Sequence, residues 1–137
     1  MNARVIVGVV GTVTLLLGLC GLFRPEWVMR FVGYGVASDA PATLVHGEIR
    51  AVYGGLLVVV GILTLLAAPA PRANQGRLLL LALLWLGIGA GRLFGVFVDG
   101  NPGLFGWFFL ALELGGGGAL LYGSQSSAES EAPPFKA

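Results

Sequence analysis

Apolar residues fall into four long blocks along this chain, and the polar residues gather between them. Val5 to Phe23 carries no charge, and Leu44 to Ala68 is apolar after a polar opening that holds His46, Glu48 and Arg50. Leu78 to Val98 is interrupted only by Arg92, and Gly103 to Tyr122 only by Glu113. At 1.5 Å rise per residue, about 20 apolar residues cross a hydrocarbon core about 30 Å thick. The pattern therefore predicts four spanning helices, at about 5–23, 44–68, 78–98 and 103–122. The short connections between them make consecutive helices antiparallel neighbours.

The first connection, Arg24 to Thr43, is longer than a turn requires. Its stretch RPEWVMRFVGYG sets Trp27, Phe31 and Tyr34 among Arg24, Glu26 and Arg30, with Pro25 at a helix start. Aromatics mixed with charges beside a span predict a short helix on the membrane surface, anchored by Trp27, Arg30, Phe31 and Tyr34. The stretches Ala68–Arg77, with Pro69, Pro71 and Asn74, and Asp99–Pro102 are turns by composition. The fold class is all-α: an integral membrane bundle of four transmembrane helices with an interfacial helix after the first span. One domain covers 1–123, and the polar tail 124–137 lacks apolar periodicity and reads as disordered. The first block has a single n-region charge, Arg4, and lacks a small-x-small cleavage site, so it reads as a retained helix.

Composition agrees with this reading. Of 137 residues, 56% are apolar and 11% charged, far below the ~25% charged share of soluble domains. The net charge of +1 offers no basic surface for nucleic acid. The positive-inside rule sets Arg4, Arg72, Arg77 and Lys136 against Arg24 and Arg30, which places both termini in the cytoplasm. A bacterial inner membrane is the expected location.

Charges inside the blocks carry the chemistry. An ionisable residue within a span costs about 2.5–3.5 kcal/mol on insertion scales, so Glu48, Arg50, Arg92 and Glu113 must pair or meet water. Counted from the helix ends, all four lie in the same half of the bilayer, with Glu113 about 15 Å deep. At 100° per residue Arg50 and Tyr53 share a face with His46, whereas Glu48 points away from Arg50. Trp85, Arg92 and Asp99 form one stripe at seven-residue spacing. These placements predict a buried network of Glu48, Arg50, Tyr53, Arg92, Asp99 and Glu113, in which Arg50 or Arg92 meets Glu113 and Tyr53 donates its hydroxyl. Such a network is either a clasp that fixes helix register, a polar cavity for a lipid headgroup or small ligand, or an acid–base site.

The chain holds 23 glycines. Gly87, Gly91 and Gly95 recur at four residues, and Gly47, Gly54 and Gly61 at seven, as in close helix packing within one chain or between two. The run Gly115 to Gly118 either breaks the fourth helix near a binding site or allows close approach. His46 and Cys20 are single and lie on different helices, so no metal or haem site is expected, and no phosphate-binding loop is present.

Taken together, GLFRPE after the first span, EIRAVYGGL, GRLFGVFVDGNP and ALEL resemble the bacterial domain-of-unknown-function 4345 family of small four-helix membrane proteins. The resemblance covers about residues 5 to 122. It implies a compact tetraspan fold with Glu48, Arg50, Tyr53, Arg92, Asp99 and Glu113 at the matching polar positions, and it implies no activity. A looser likeness to DoxX-type proteins and membrane glutathione transferases rests on helix count alone.

Three functions are compatible with these residues. The first is a non-enzymatic, self-assembling or accessory subunit of a membrane complex. The second is a binding or carrier protein for a lipid or hydrophobic small molecule, and the third is a small membrane enzyme using Glu113. Membrane lipids and further copies of the chain, or a larger complex, are the expected partners. No cofactor is expected, and a bound lipid is compatible with the pattern.

Overall fold

A computed structural model describes residues 2–32 and 42–125. Among these residues every regular element is a helix: α1 (Ala3–Phe23), α2 (Pro25–Val32), α3 (Ala42–Ile49), a π-helical segment (Arg50–Leu56), α4 (Leu57–Ala67), α5 (Gln75–Asp99) and α6 (Gly103–Gln125). Four stretches are long and apolar enough to cross a membrane: Ala3–Phe23, Thr43–Ala67, Gln75–Asp99 and Gly103–Gln125. These spans point to a multi-pass membrane protein. Tyr34 and residues 126–137 of the tail lie outside the described residues. Ser124 and Gln125 close α6, which therefore runs slightly beyond the apolar block.

The helix ends follow from local chemistry. The Asn2 side chain accepts the Arg4 backbone N–H at 3.1 Å and so caps α1. Pro25 opens α2, where its missing N–H costs nothing. Gly100 ends α5 at φ 94° and donates its N–H to Val96. Asn101 then accepts from the Gly103 backbone N–H and the Trp107 indole, both at 3.1 Å, to start α6.

Packing joins the spans in two close pairs, α1 with α4 and α5 with α6, and α1 touches α6 between the pairs. Although α4 and α5 are consecutive, they touch little. Glycine explains the first pair. A Cβ on Gly18 would sit 2.5 Å from the Val58 nitrogen, and one on Gly61 would sit 2.6 Å from the Leu15 nitrogen. Gly21 backs onto the Tyr53 carbonyl, and Gly54 onto the Leu22 backbone. Backbones that approach this closely gain dispersion contacts without a hydrophobic driving force, as expected of helices packed in lipid.

The core is small and apolar, built on Val7, Val60, Leu78, Leu81, Trp85 and Leu120. Thr14 and Thr64 are buried too, and each donates its hydroxyl to the carbonyl four residues back. Much of the outer surface is large apolar side chains, with Phe97 80% and Leu104 81% exposed. A water-soluble chain rarely exposes so much continuous apolar surface, whereas a lipid-facing one does.

Candidate functional site

The polar centre lies between α5 and α6. Arg92 sits seven residues before the end of α5, and Glu113 ten residues after the start of α6. An antiparallel pair joined by a three-residue turn brings such positions to nearly the same depth. Nε of Arg92 donates to Oε2 and Oε1 of Glu113 at 2.9 and 3.1 Å, and Nη2 donates to Oε1 at 2.6 Å. This is the two-pronged grip of a guanidinium on a carboxylate. The Glu113 side chain is 6% exposed and that of Arg92 22%.

Three neighbours complete the arrangement. The Arg92 guanidinium lies over the Phe109 ring at 5.6 Å from its centroid. Phe109 is four residues before Glu113 and so shares its helix face. Tyr53, from the π-helical segment, also interacts with the Arg92 guanidinium. Gly89, one turn before Arg92, lets α6 close in, since a Cβ there would meet Leu114 at 2.8 Å and Glu113 Cβ at 3.4 Å.

The structure thus brings Arg92, Glu113 and Tyr53 together, and it places the other three polar residues elsewhere. Nε of Arg50 donates to the Leu22 carbonyl at 3.3 Å, at the end of α1 where carbonyls have no intrahelical partner. Glu48 is exposed on α3, and Asp99 is exposed at the end of α5. Asp99 stands two turns beyond Arg92, at the very end of α5. For Arg50 the reason is the π-helical segment, which begins at that residue. Its i→i+5 bonding puts more residues into each turn than the 100° step assumes, so angles read across it do not hold. Arg50 therefore turns toward α1 while Tyr53 turns toward α5.

The glycines divide in the same way. Gly54 and Gly61 pack against α1, whereas Gly47, Gly87 and Gly91 have nothing among the described residues within 4 Å of a Cβ placed on them. Gly95 meets only Asp99 of its own helix. α6 continues unbroken through Gly115 to Gly118, where Gly117 backs onto Leu86 and Ala82 and Gly116 onto Trp85.

Arg24, between α1 and α2, lies 3.8 Å from Glu26 and stacks on Trp27 at 5.8 Å, and Trp27 and Arg30 of α2 are exposed. Phe31 lies in the last turn of that helix. Sequence reasoning missed Phe109, whose signal was its four-residue spacing from Glu113. It also missed Gly11, Gly18 and Gly21 of α1, which back onto Leu65, Val58 and Tyr53.

A second feature is an apolar crevice of about 220 Å³ between α1 and α6, floored by Trp85. The Trp85 indole Nε1 is buried and has no hydrogen-bond partner among the described residues. Among the described residues no three His, Cys, Asp or Glu side chains are grouped as a metal ion requires.

A four-helix bundle with one buried arginine–glutamate clasp and an apolar outer surface is the class of protein these features define. The family described as a domain of unknown function (DUF4345) matches residues 2–124, and the chain belongs to it. No curated protein and no solved structure matches the chain.

Proposed function

We propose that the chain is a self-assembling structural component of a membrane complex, and that its copies meet along the Gly87–Gly91–Gly95 face of α5. One observation carries this reading. Gly11, Gly18, Gly21, Gly54, Gly61 and Gly117 all back onto their own chain. Gly8, Gly87, Gly91, Gly115 and Gly118 meet nothing among the described residues, and of these Gly87 and Gly91 recur at the four-residue interval of close helix packing. A helical glycine costs about 1 kcal/mol relative to alanine. A double small-xxx-small stripe offsets that cost only where another helix comes close. A two-fold pair of α5 helices supplies that helix from an identical surface.

In this reading the Arg92–Glu113 clasp has a structural role. It fixes the register of α5 on α6, so the glycine face is held at a set angle to the bundle. A buried ion pair adds little net stability and specifies geometry instead. The bundle sits in a bacterial inner membrane with both termini cytoplasmic, supported by Arg4, Arg72, Arg77 and Lys136 on that side. The exposed Trp27 and Arg30 support a position for α2 at the opposite interface.

Native mass spectrometry of protein extracted gently from its own membranes tests this. Integral multiples of 14.2 kDa are expected from the natural chain, and a single copy from Gly91→Leu. A natural chain that is strictly monomeric overturns the proposal. A heavier companion chain replaces self-assembly with an accessory-subunit role.

A further inference from the structure

The crevice between α1 and α6 is lined by Val10, Val13 and Thr14 on one side and by Ala111, Gly115 and Gly116 on the other, with Trp85 beneath. Val13, Ala111 and Gly115 are exposed on the outer surface, so the crevice opens sideways rather than toward either end of the bundle. Thr14, Trp85 and Gly116 lie near the middle of their helices, roughly 15 Å from the nearer helix end. In a bilayer this opening faces the hydrocarbon mid-depth. Water does not settle in a site whose walls offer it so few polar partners.

Trp85 sets the chemistry. It is 8% exposed, and its Nε1–H is a buried donor with no acceptor among the described residues. An orphaned donor is costly anywhere and has no solvent to rescue it inside a membrane. The fused edge of the indole, Cδ2 and Cε2, faces Gly116, where a built Cβ would lie 3.8 and 4.0 Å away. Nε1 is bonded to Cε2, so the donor lies one bond behind the glycine-lined wall of the crevice, and a ligand reaches it as the indole turns outward. Thr14 does not compete for an acceptor, because its hydroxyl already donates to Val10 at 2.7 Å.

We infer that this crevice binds a neutral, membrane-dissolved molecule carrying a carbonyl-type oxygen, which accepts the Trp85 Nε1–H. Depth selects the class. The ester oxygens of a phospholipid lie at the edge of a core about 30 Å thick, some 15 Å from this site. An acceptor at mid-depth therefore belongs to a molecule dissolved in the hydrocarbon itself. Size agrees, since an apolar cavity of about 150 Å³ already accepts benzene. The inference rests on the four helices spanning a bilayer, and it does not depend on copies meeting through α5.

Photolabelling tests it, with the full chain in phosphatidylcholine nanodiscs at one copy per disc. Benzophenone is the probe, an apolar ketone that on irradiation inserts into neighbouring C–H bonds. Saturable labelling is expected in the α1 peptide containing Val10 to Leu17 and the α6 peptide containing Ala111 to Gly116. Nonadecan-10-one should protect at about tenfold lower concentration than nonadecane, the gain expected of one hydrogen bond. Trp85→Phe removes the donor together with part of the ring, and should make the two competitors equal while labelling persists. Equal protection in the natural chain, or labelling spread evenly over all four spans, overturns the inference. Because each disc holds one copy, neither result depends on whether copies associate.

Discussion

Gly21 of α1 lies against the backbone carbonyl of Tyr53 so closely that no side chain fits between them. Tyr53 in turn reaches the Arg92 guanidinium, so this contact connects the α1–α4 pair to the clasp between α5 and α6. Gly21→Ala should push the π-helical segment away and cost about 1–3 kcal/mol, the usual range for overpacking. Gly8→Ala, which adds a methyl where nothing lies within 4 Å, should stabilise by about 0.5–1 kcal/mol through helix propensity alone. Unfolding midpoints in mixed micelles of rising SDS fraction compare the two. Equal effects would show that the close approach has no energetic weight.

The clasp predicts strong non-additivity. Arg92→Leu leaves Glu113 buried without its partner, and Glu113→Leu leaves Arg92 so. Each should cost about 3–5 kcal/mol, while the double variant should cost far less than the sum. Exchanging the charges as Arg92→Glu with Glu113→Arg should rescue only in part. The exchanged arginine would occupy the more buried position and lose its place over Phe109. A double-mutant cycle on the same unfolding assay gives the coupling directly, and additive losses would sink the clasp.

Arg50 should behave quite differently from Arg92. It is exposed and donates one bond to the Leu22 carbonyl, so Arg50→Met should cost about 1 kcal/mol or less. Loss of fold in Arg50→Met would mean that the residue carries more than this cap.

Gly100 has φ 94° and ψ −157°, a conformation open almost only to glycine, and no atom stands near a built Cβ. Gly100→Ala should therefore cost about 1–3 kcal/mol from backbone strain alone. The loss should appear equally in the natural chain and in a Gly91→Leu background, because the turn lies away from the glycine face. A neutral Gly100→Ala would show that the turn relaxes freely.

The spans and their boundaries were legible because an apolar block needs no partner to be recognised. Arg92 and Glu113 were legible for a related reason: depth along a helix follows from counting residues, and an antiparallel pair matches depth with depth. Angle was less secure. The 100° step holds for α5 and α6, where Phe109 and Glu113 share a face, and it fails at Arg50, where π-helical bonding begins. A run of α-like sequence around Gly54 and Gly55 gives little warning of that change, because the close contact with α1 is a tertiary effect. The glycine spacing was similarly half informative. Gly54, Gly61, Gly87 and Gly91 all repeat at helix-packing intervals, but periodicity marks a face without saying what lies opposite.

The pairing of spans bears on how the chain is made. α1 finds its main partner in α4, and both precede the Pro69–Asn74 turn. α5 finds its own in α6, which follows directly. Each half can therefore complete most of its backbone contacts without the other. Chains split at Pro71 and produced together from two messages should then reassemble in the membrane, recovered as a complex through a tag on either half. Reassembly would make that turn a seam in biogenesis, with the α1–α6 contact as the late step that joins two hairpins.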